Sequence, residues 1–110
     1  MAGSKKPPPA RAERRAALRR SDDLARQRAK LAALEPGGSP ERPLEVASAS
    51  LVESRAISLR CLRCDAAESK LDAHEAESDG RYVLRTLRTR CGRCGSIRTI
   101  YARVVVPSAN

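Results

Sequence analysis

The residues of this 110-residue chain best suited to chemistry are its four cysteines, set in two pairs of identical spacing: Cys61 and Cys64 in "RCLRCDA", Cys91 and Cys94 in "RTRCGRCGS". A C-x2-C pair can fold its backbone around one metal ion, and two pairs supply the four sulfurs of a tetrahedral site with Zn–S of about 2.3 Å. Twenty-six residues separate Cys64 from Cys91, more than the roughly 15 to 20 of the commonest short arrangement. The pairs therefore meet only if the chain between them doubles back. Asp79-Gly80 supplies the turn, because an Asp-Gly pair between strand-like segments is the strongest short-range hairpin signal. Residues Asp65 to Ser78 run outward and Arg81 to Arg90 run back, with Asp65 to Glu68 absorbing the excess of the outward arm. The residue after each pair, Asp65 or Gly95, tolerates a positive φ, and Gly92 gives the second knuckle freedom for amides to approach sulfur. Two disulfides are the other use of four thiols. The N-terminus lacks the apolar stretch of a secretory signal and no membrane span is present, so a cytoplasmic location is expected. There thiols stay reduced, and such a pattern serves metal binding or catalysis.

Other candidates for chemistry are weaker. His74 is the single histidine; it lies mid-arm in the proposed hairpin, without a partner at a motif spacing, and reads as a surface or interstrand residue. Glu75, Glu77 and Asp79 face an arm bearing Arg81, Arg85, Arg88 and Arg90, so cross-strand charge pairing accounts for both sets. Neither cysteine pair opens a helix in the βαβ setting of a redox motif, and there is no glycine-rich phosphate loop. The expectation is a protein that is not an enzyme.

The elements that must position the thiols are few. Phe and Trp are absent and Tyr82 and Tyr101 are the only aromatics, so the core is aliphatic and thin, and a domain this small usually adds a metal or disulfide staple. Strand-like segments are "SKLDAHEAES", "RYVLRTLRTRC" and "SIRTIYARVVV", and "LVESRAISLRC" leads apolar and β-branched residues up to Cys61. In "SKLDAHEAES", alternation puts Leu71, Ala73, Glu75 and Glu77 on one side. Residues 1–35 form a basic arm with ten basic and four acidic residues. Its proline-rich tip, Met1 to Ala10, is expected to be disordered, and Arg11 to Leu34 helical, with Ser21 placed to cap a second segment. Residues 36–50, rich in Pro, Gly and Ser, read as a linker, residues 51–107 as the folded domain, and the terminal "PSAN" as frayed.

The region from Leu51 to Pro107 resembles the zinc ribbon family, on the two knuckles "CLRC" and "CGRCG" and the hairpin between them. The resemblance implies a small, mainly β fold, a three-stranded antiparallel sheet with one structural zinc clamped at its end, here preceded by a basic arm that is part helical and part disordered. It assigns Cys61, Cys64, Cys91 and Cys94 as the ligands. Transcript-cleavage elongation factors have a similar ribbon but carry an adjacent Asp-Glu pair at the hairpin tip, where this chain reads "ESDGR". Rubredoxin holds iron with comparable pairs, yet is acidic with an aromatic core, so zinc and not iron is implied here.

The net charge of +9 favours an anionic partner. Two roles are consistent with it: a nucleic-acid-associated module of transcription or translation type, contacting nucleic acid or a ribonucleoprotein or polymerase complex through phosphates, and a protein-interaction adaptor with structural zinc. For the first, the candidate contacts are Arg14, Arg15, Arg19, Arg20, Arg26, Arg28 and Lys30. For the second, Leu24, Leu31 and Leu34 give the arm an apolar stripe at helical spacing.

Overall fold

The computed structural model describes residues 10–78 and 80–105. Of the expected disordered tip, Met1 to Ala10, residues 1–9 lie outside them and Ala10 opens a helix; the turn residue Asp79 and the frayed terminus 107–110 also lie outside. Helix α1 spans Ala10–Ala33 and is continuous through Ser21, because Arg, Ala, Leu and Gln on both sides favour the helix more than one serine cap disfavours it. Pro36 and Gly37, the latter at φ 92°, end the helical run. Among the described residues no helix is long and apolar enough to cross a membrane.

The sheet has four strands, not three. β1 (Leu44–Val46), β2 (Ser69–Ser78), β3 (Val83–Cys91) and β4 (Ile97–Val104) lie in the order β1-β4-β3-β2. The three expected strands are antiparallel neighbours, and β1 adds a parallel edge to β4, so the sheet is mixed. β1 comes from the stretch 36–50. Its turn formers fold into a specific bend: Gly37 N–H donates to Arg42 O at 2.6 Å, Tyr101 N–H donates to Gly37 O at 2.9 Å, and Leu44 and Val46 then drop into the core. A Cβ at Gly37 would sit 2.8 Å from Leu44 Cγ, so the bend accepts glycine on both steric and conformational grounds.

The segment before Cys61 is helical. A short 3-10 turn at Ala49–Leu51 leads into α2 (Val52–Ile57), where Val52 and Ala56, four residues apart, share the face laid on the sheet. They join Leu44, Val46, Leu87, Ile100 and Ala102 in an aliphatic core, with Leu59 and Val104 at its margin. Leu87, Ile100 and Val52 are fully buried. This core centres on Leu87 and Ile100, paired at the middle of β3 and β4, and the cysteines form a separate cluster beyond it.

Strand alternation fails at one point. Between Leu71 and Ala73 the β2–β3 register slips by one residue at Asp72, so that Leu71 opposes Thr89 while Ala73 opposes Arg88. The bulge transfers Leu71 to the face of His74 and Ala76, away from Ala73, Glu75 and Glu77. Cross-strand charge pairing also differs from expectation: Glu75 opposes Thr86 and Glu77 opposes Leu84. Arg90 instead donates to the bulged Asp72 carboxylate from Nε at 3.2 Å and Nη2 at 3.1 Å.

Candidate metal centre

The loop after α2 and the β3–β4 turn carry the two thiol pairs and fold alike. Cys61 O accepts a hydrogen bond from Asp65 N–H and Cys91 O one from Gly95 N–H, both 2.9 Å; Cys61 N–H donates to Ala66 O at 3.0 Å and Cys91 N–H to Ser96 O at 2.9 Å. Asp65 at φ 62° and Gly95 at φ 78° occupy the left-handed region, as their positions after each pair require. In each knuckle two amides aim at the first sulfur. Arg63 and Cys64 N–H lie 3.4 and 3.5 Å from Cys61 Sγ, and Arg93 and Cys94 N–H lie 3.4 and 3.5 Å from Cys91 Sγ. Such amides stabilise thiolate over thiol.

The hairpin brings the knuckles together. Cys61 and Cys94 sulfurs are 3.5 Å apart, as are those of Cys64 and Cys91, and all four lie within 4.8 Å of one another. A tetrahedral ion with metal–sulfur bonds of about 2.3 Å needs sulfurs roughly 3.8 Å apart, so the four thiols fit a metal ion, and all are free of disulfides. Cys61, Cys91 and Ala66 are buried together, with Cys64 packed against them, while Cys94 is exposed. The cluster could bind a metal. It is the one group of three or more potential ligands among the described residues.

Ser96 is a contributor that the cysteine spacing does not announce. Its hydroxyl lies 3.2 Å from Cys61 Sγ, across the cluster, and 3.5 Å from Cys94 Sγ. The clue was available in the repeat itself: Ser96 takes the place in "CGRCGS" that Ala66 takes in "CLRCDA". Burial works to raise the Cys61 pKa, but the Ser96 hydroxyl and the Cys64 and Arg63 amides outweigh it and bring the thiol down to about 6. Cys64 is pushed up to about 12: the Ala66 amide acts in the opposite direction, and burial with the surrounding sulfurs of Cys91, Cys94 and Cys61 prevails. Cys94 is lowered, chiefly by the Ser96 hydroxyl. Two depressed thiols and one raised within the same few ångströms mark a cluster whose groups do not readily all ionise without a cation among them.

Gly92 does more than loosen its knuckle. Its N–H donates to Glu68 O at 2.7 Å, tying the second knuckle to the entry of β2, and a Cβ there would lie 2.9 Å from the same oxygen. His74 is an interstrand residue and remote from the thiols in the register, with Nδ1 3.6 Å from Glu53 Oε2 of α2 and Nε2 3.3 Å from Arg85 Nη1.

The seven basic residues proposed in the arm are not one cluster. Arg28 turns inward and donates to the carbonyls of Leu62 and Arg63 at 3.4 and 3.3 Å. Arg14 Nε donates back to Ala10 O at 3.3 Å, and Arg26 lies 3.8 Å from Asp23. Arg15, Arg19, Arg26 and Lys30, separated by four, seven and four residues, share one exposed face of α1; Arg20 lies one turn before Leu24, on the side of the apolar stripe. Leu24 and Leu31 of that stripe are exposed on α1, and Leu34, also exposed, lies just past its end.

No family model, curated protein or solved structure matches the chain.

Proposed function

We propose that the chain is a cytoplasmic zinc-binding module of the zinc ribbon kind that associates with nucleic acid through phosphate contacts and performs no catalysis. The observation that carries the metal part is the four-sulfur cluster within 4.8 Å, fed by four amide-to-sulfur contacts. Zinc suits four thiolates in a closed tetrahedral shell, and a full shell leaves no position for substrate or activated water. Zinc here would hold the fold, since the aliphatic core is small and separate from the thiols.

Support for nucleic acid comes from α1. Arg15, Arg19, Arg26 and Lys30 line one exposed face of a 24-residue helix, a stripe about 22 Å long between its end residues, suited to successive phosphates. Single-strand reading by base stacking has little to work with, because Tyr82 and Tyr101 are the only aromatic side chains. The binding expected is weak, sensitive to salt and indifferent to sequence. Titration of a labelled oligonucleotide at two salt concentrations tests it, with elemental analysis for one zinc per chain. Each phosphate neutralised on duplex DNA adds about −0.9 to the log-log salt slope, and replacing the four stripe residues with Gln should flatten it.

The adaptor reading is favoured by one observation of its own, the exposure of Leu24, Leu31 and Leu34 at 46, 63 and 63%. Absence of oligonucleotide binding by the intact chain at low salt would decide for it.

A further inference from the structure

A cleft of about 510 Å³ separates the C-terminal half of α1 from the first knuckle, and Arg28, Arg60 and Arg98 stand around it with Glu35, Ser58 and Asp65. Arg98 is the least satisfied of these. It sits on β4 opposite Thr89, half-buried, and its guanidinium makes one hydrogen bond among the described residues, from Nη1 to Arg60 O at 2.9 Å. A guanidinium has five N–H donors and stays charged in proteins. Burial disfavours its charge, against the attraction of Glu35 and Cys61, and no carboxylate stands within ion-pairing distance among the described residues. A desolvated cation in that position is normally paired.

Arg28 reaches the same segment from the other wall. It holds the Leu62 and Arg63 carbonyls while Arg98 holds that of Arg60, so the two guanidiniums grip acceptors two and three residues apart, and both line the cleft. Arg60 adds a third cation at the rim, partly engaged by Asp65. Planar donors lining one cleft match the oxygens of a phosphate, which Arg binds in bidentate fashion.

We infer that this cleft seats one phosphate group of a nucleic-acid backbone between Arg98 and Arg28. The inference takes its ligand from the nucleic-acid reading above and its site from the cleft alone. It gives α1 a second use: the stripe of Arg15, Arg19, Arg26 and Lys30 tracks the backbone, and the cleft at the helix's C-terminal end fixes one phosphate against the folded domain. A competing role for the same arginines is to offset the negative charge of the thiolate-bound metal, since Cys61 lines the cleft.

The experiment uses the full, metal-loaded chain and its Arg98→Gln and Arg28→Gln variants. Inorganic phosphate is titrated while the arginine Nε–H resonances are followed by NMR, and a labelled oligonucleotide is titrated separately at two salt concentrations. Phosphate should shift the Arg98 and Arg28 signals of the intact chain. Each variant should keep one metal per chain, bind the oligonucleotide about tenfold more weakly and lose about one from the salt slope. Unchanged oligonucleotide affinity in both variants would overturn the cleft and leave the nucleic-acid reading standing. If the intact chain binds no oligonucleotide yet phosphate shifts both arginines, the phosphate site stands and its nucleic-acid source is overturned. Absence of any phosphate shift, or loss of metal on Arg98→Gln, overturns the site and assigns Arg98 to the metal centre.

Discussion

Asp22 of α1 and Arg63 of the first knuckle meet at 2.6 Å between Oδ1 and Nη2, with both side chains a little over one-third exposed. Arg63 N–H also points at Cys61 Sγ. One residue thus joins the arm to the thiol cluster, and the Arg28 contacts to Leu62 and Arg63 fasten the arm at a second point. The partner raises the pKa of an arginine that is already always charged, so the pair acts through geometry and not through titration.

Asp22→Asn should cost the folded domain little, about 0.5 to 1 kcal/mol as for other partly exposed pairs, while loosening the arm. Amide hydrogen exchange checks this: faster exchange in the C-terminal half of α1 with unchanged protection in β3 and β4 is the expected outcome. Equal loss of protection in both would show that the arm is integral to the domain.

Metal removal should take the sheet with it. Structural zinc contributes apparent binding free energies of about 10 to 16 kcal/mol in small thiolate domains, far more than a core with three fully buried large side chains can replace. A strong chelator, or Cys94→Ser, should abolish the β-sheet dichroism. Retention of the sheet signal in a chain shown to be metal-free would defeat the structural role.

Leu87→Ala addresses the aliphatic core at the middle of the sheet. Leu87 is fully buried, and truncating such a residue costs about 2 to 5 kcal/mol. The clustered thiols lie apart from that core, so the variant should melt earlier but still give the tetrahedral thiolate absorption spectrum when loaded with cobalt.

Two glycines of the second knuckle should respond unequally. A methyl group at Gly95 meets nothing within 4 Å, so Gly95→Ala carries only the left-handed backbone strain, about 1 kcal/mol. Gly92→Ala drives a Cβ to 2.9 Å from Glu68 O, against backbone, and should cost about 2 kcal/mol or more by breaking the bond between the knuckle and β2. Thermal melts of the zinc-loaded variants give the order.

The pH dependence follows from the thiols. Cys61 lies at about 6, below its ordinary 9, so its thiolate adds stability that is present above pH 9 and is lost as pH falls through about 6. Cys64, raised to about 12, works oppositely in the metal-free chain: its thiol form adds stability below pH 9 that is lost as pH rises through about 12. Metal uptake near neutral pH must therefore strip a proton from Cys64, while Cys61 is already largely ionised. Ser96→Ala removes the chief group lowering Cys61, so zinc should be released at a higher pH than from the unaltered chain. An acid titration with a zinc-sensitive dye shows the shift; an unmoved midpoint would mean that Ser96 does not tune the thiolates.

The thiol cluster was legible in the sequence because its causes are local. C-x2-C spacing, a residue able to take positive φ after each pair, and an Asp-Gly turn between two arms of compatible length act within a few residues or fix one hairpin register. The three antiparallel strands followed for the same reason. What escaped depends on contacts between distant segments. Leu44 and Val46 become a strand only because β4 offers a parallel edge, and no short-range pattern distinguishes that stretch from a linker. Val52 to Ile57 reads as apolar and β-branched, yet folds as a helix because Val52 and Ala56 bury together on the sheet. The bulge at Asp72, whose carboxylate Arg90 of the next strand engages, moved Leu71 to the other face. Arg28 and Arg98 were two charges among many until the tertiary fold set them on facing walls of one cleft. Covalent spacing determines which thiols can meet; the side on which each remaining charge finds water, carbonyl or ligand is decided by packing between elements far apart in the chain.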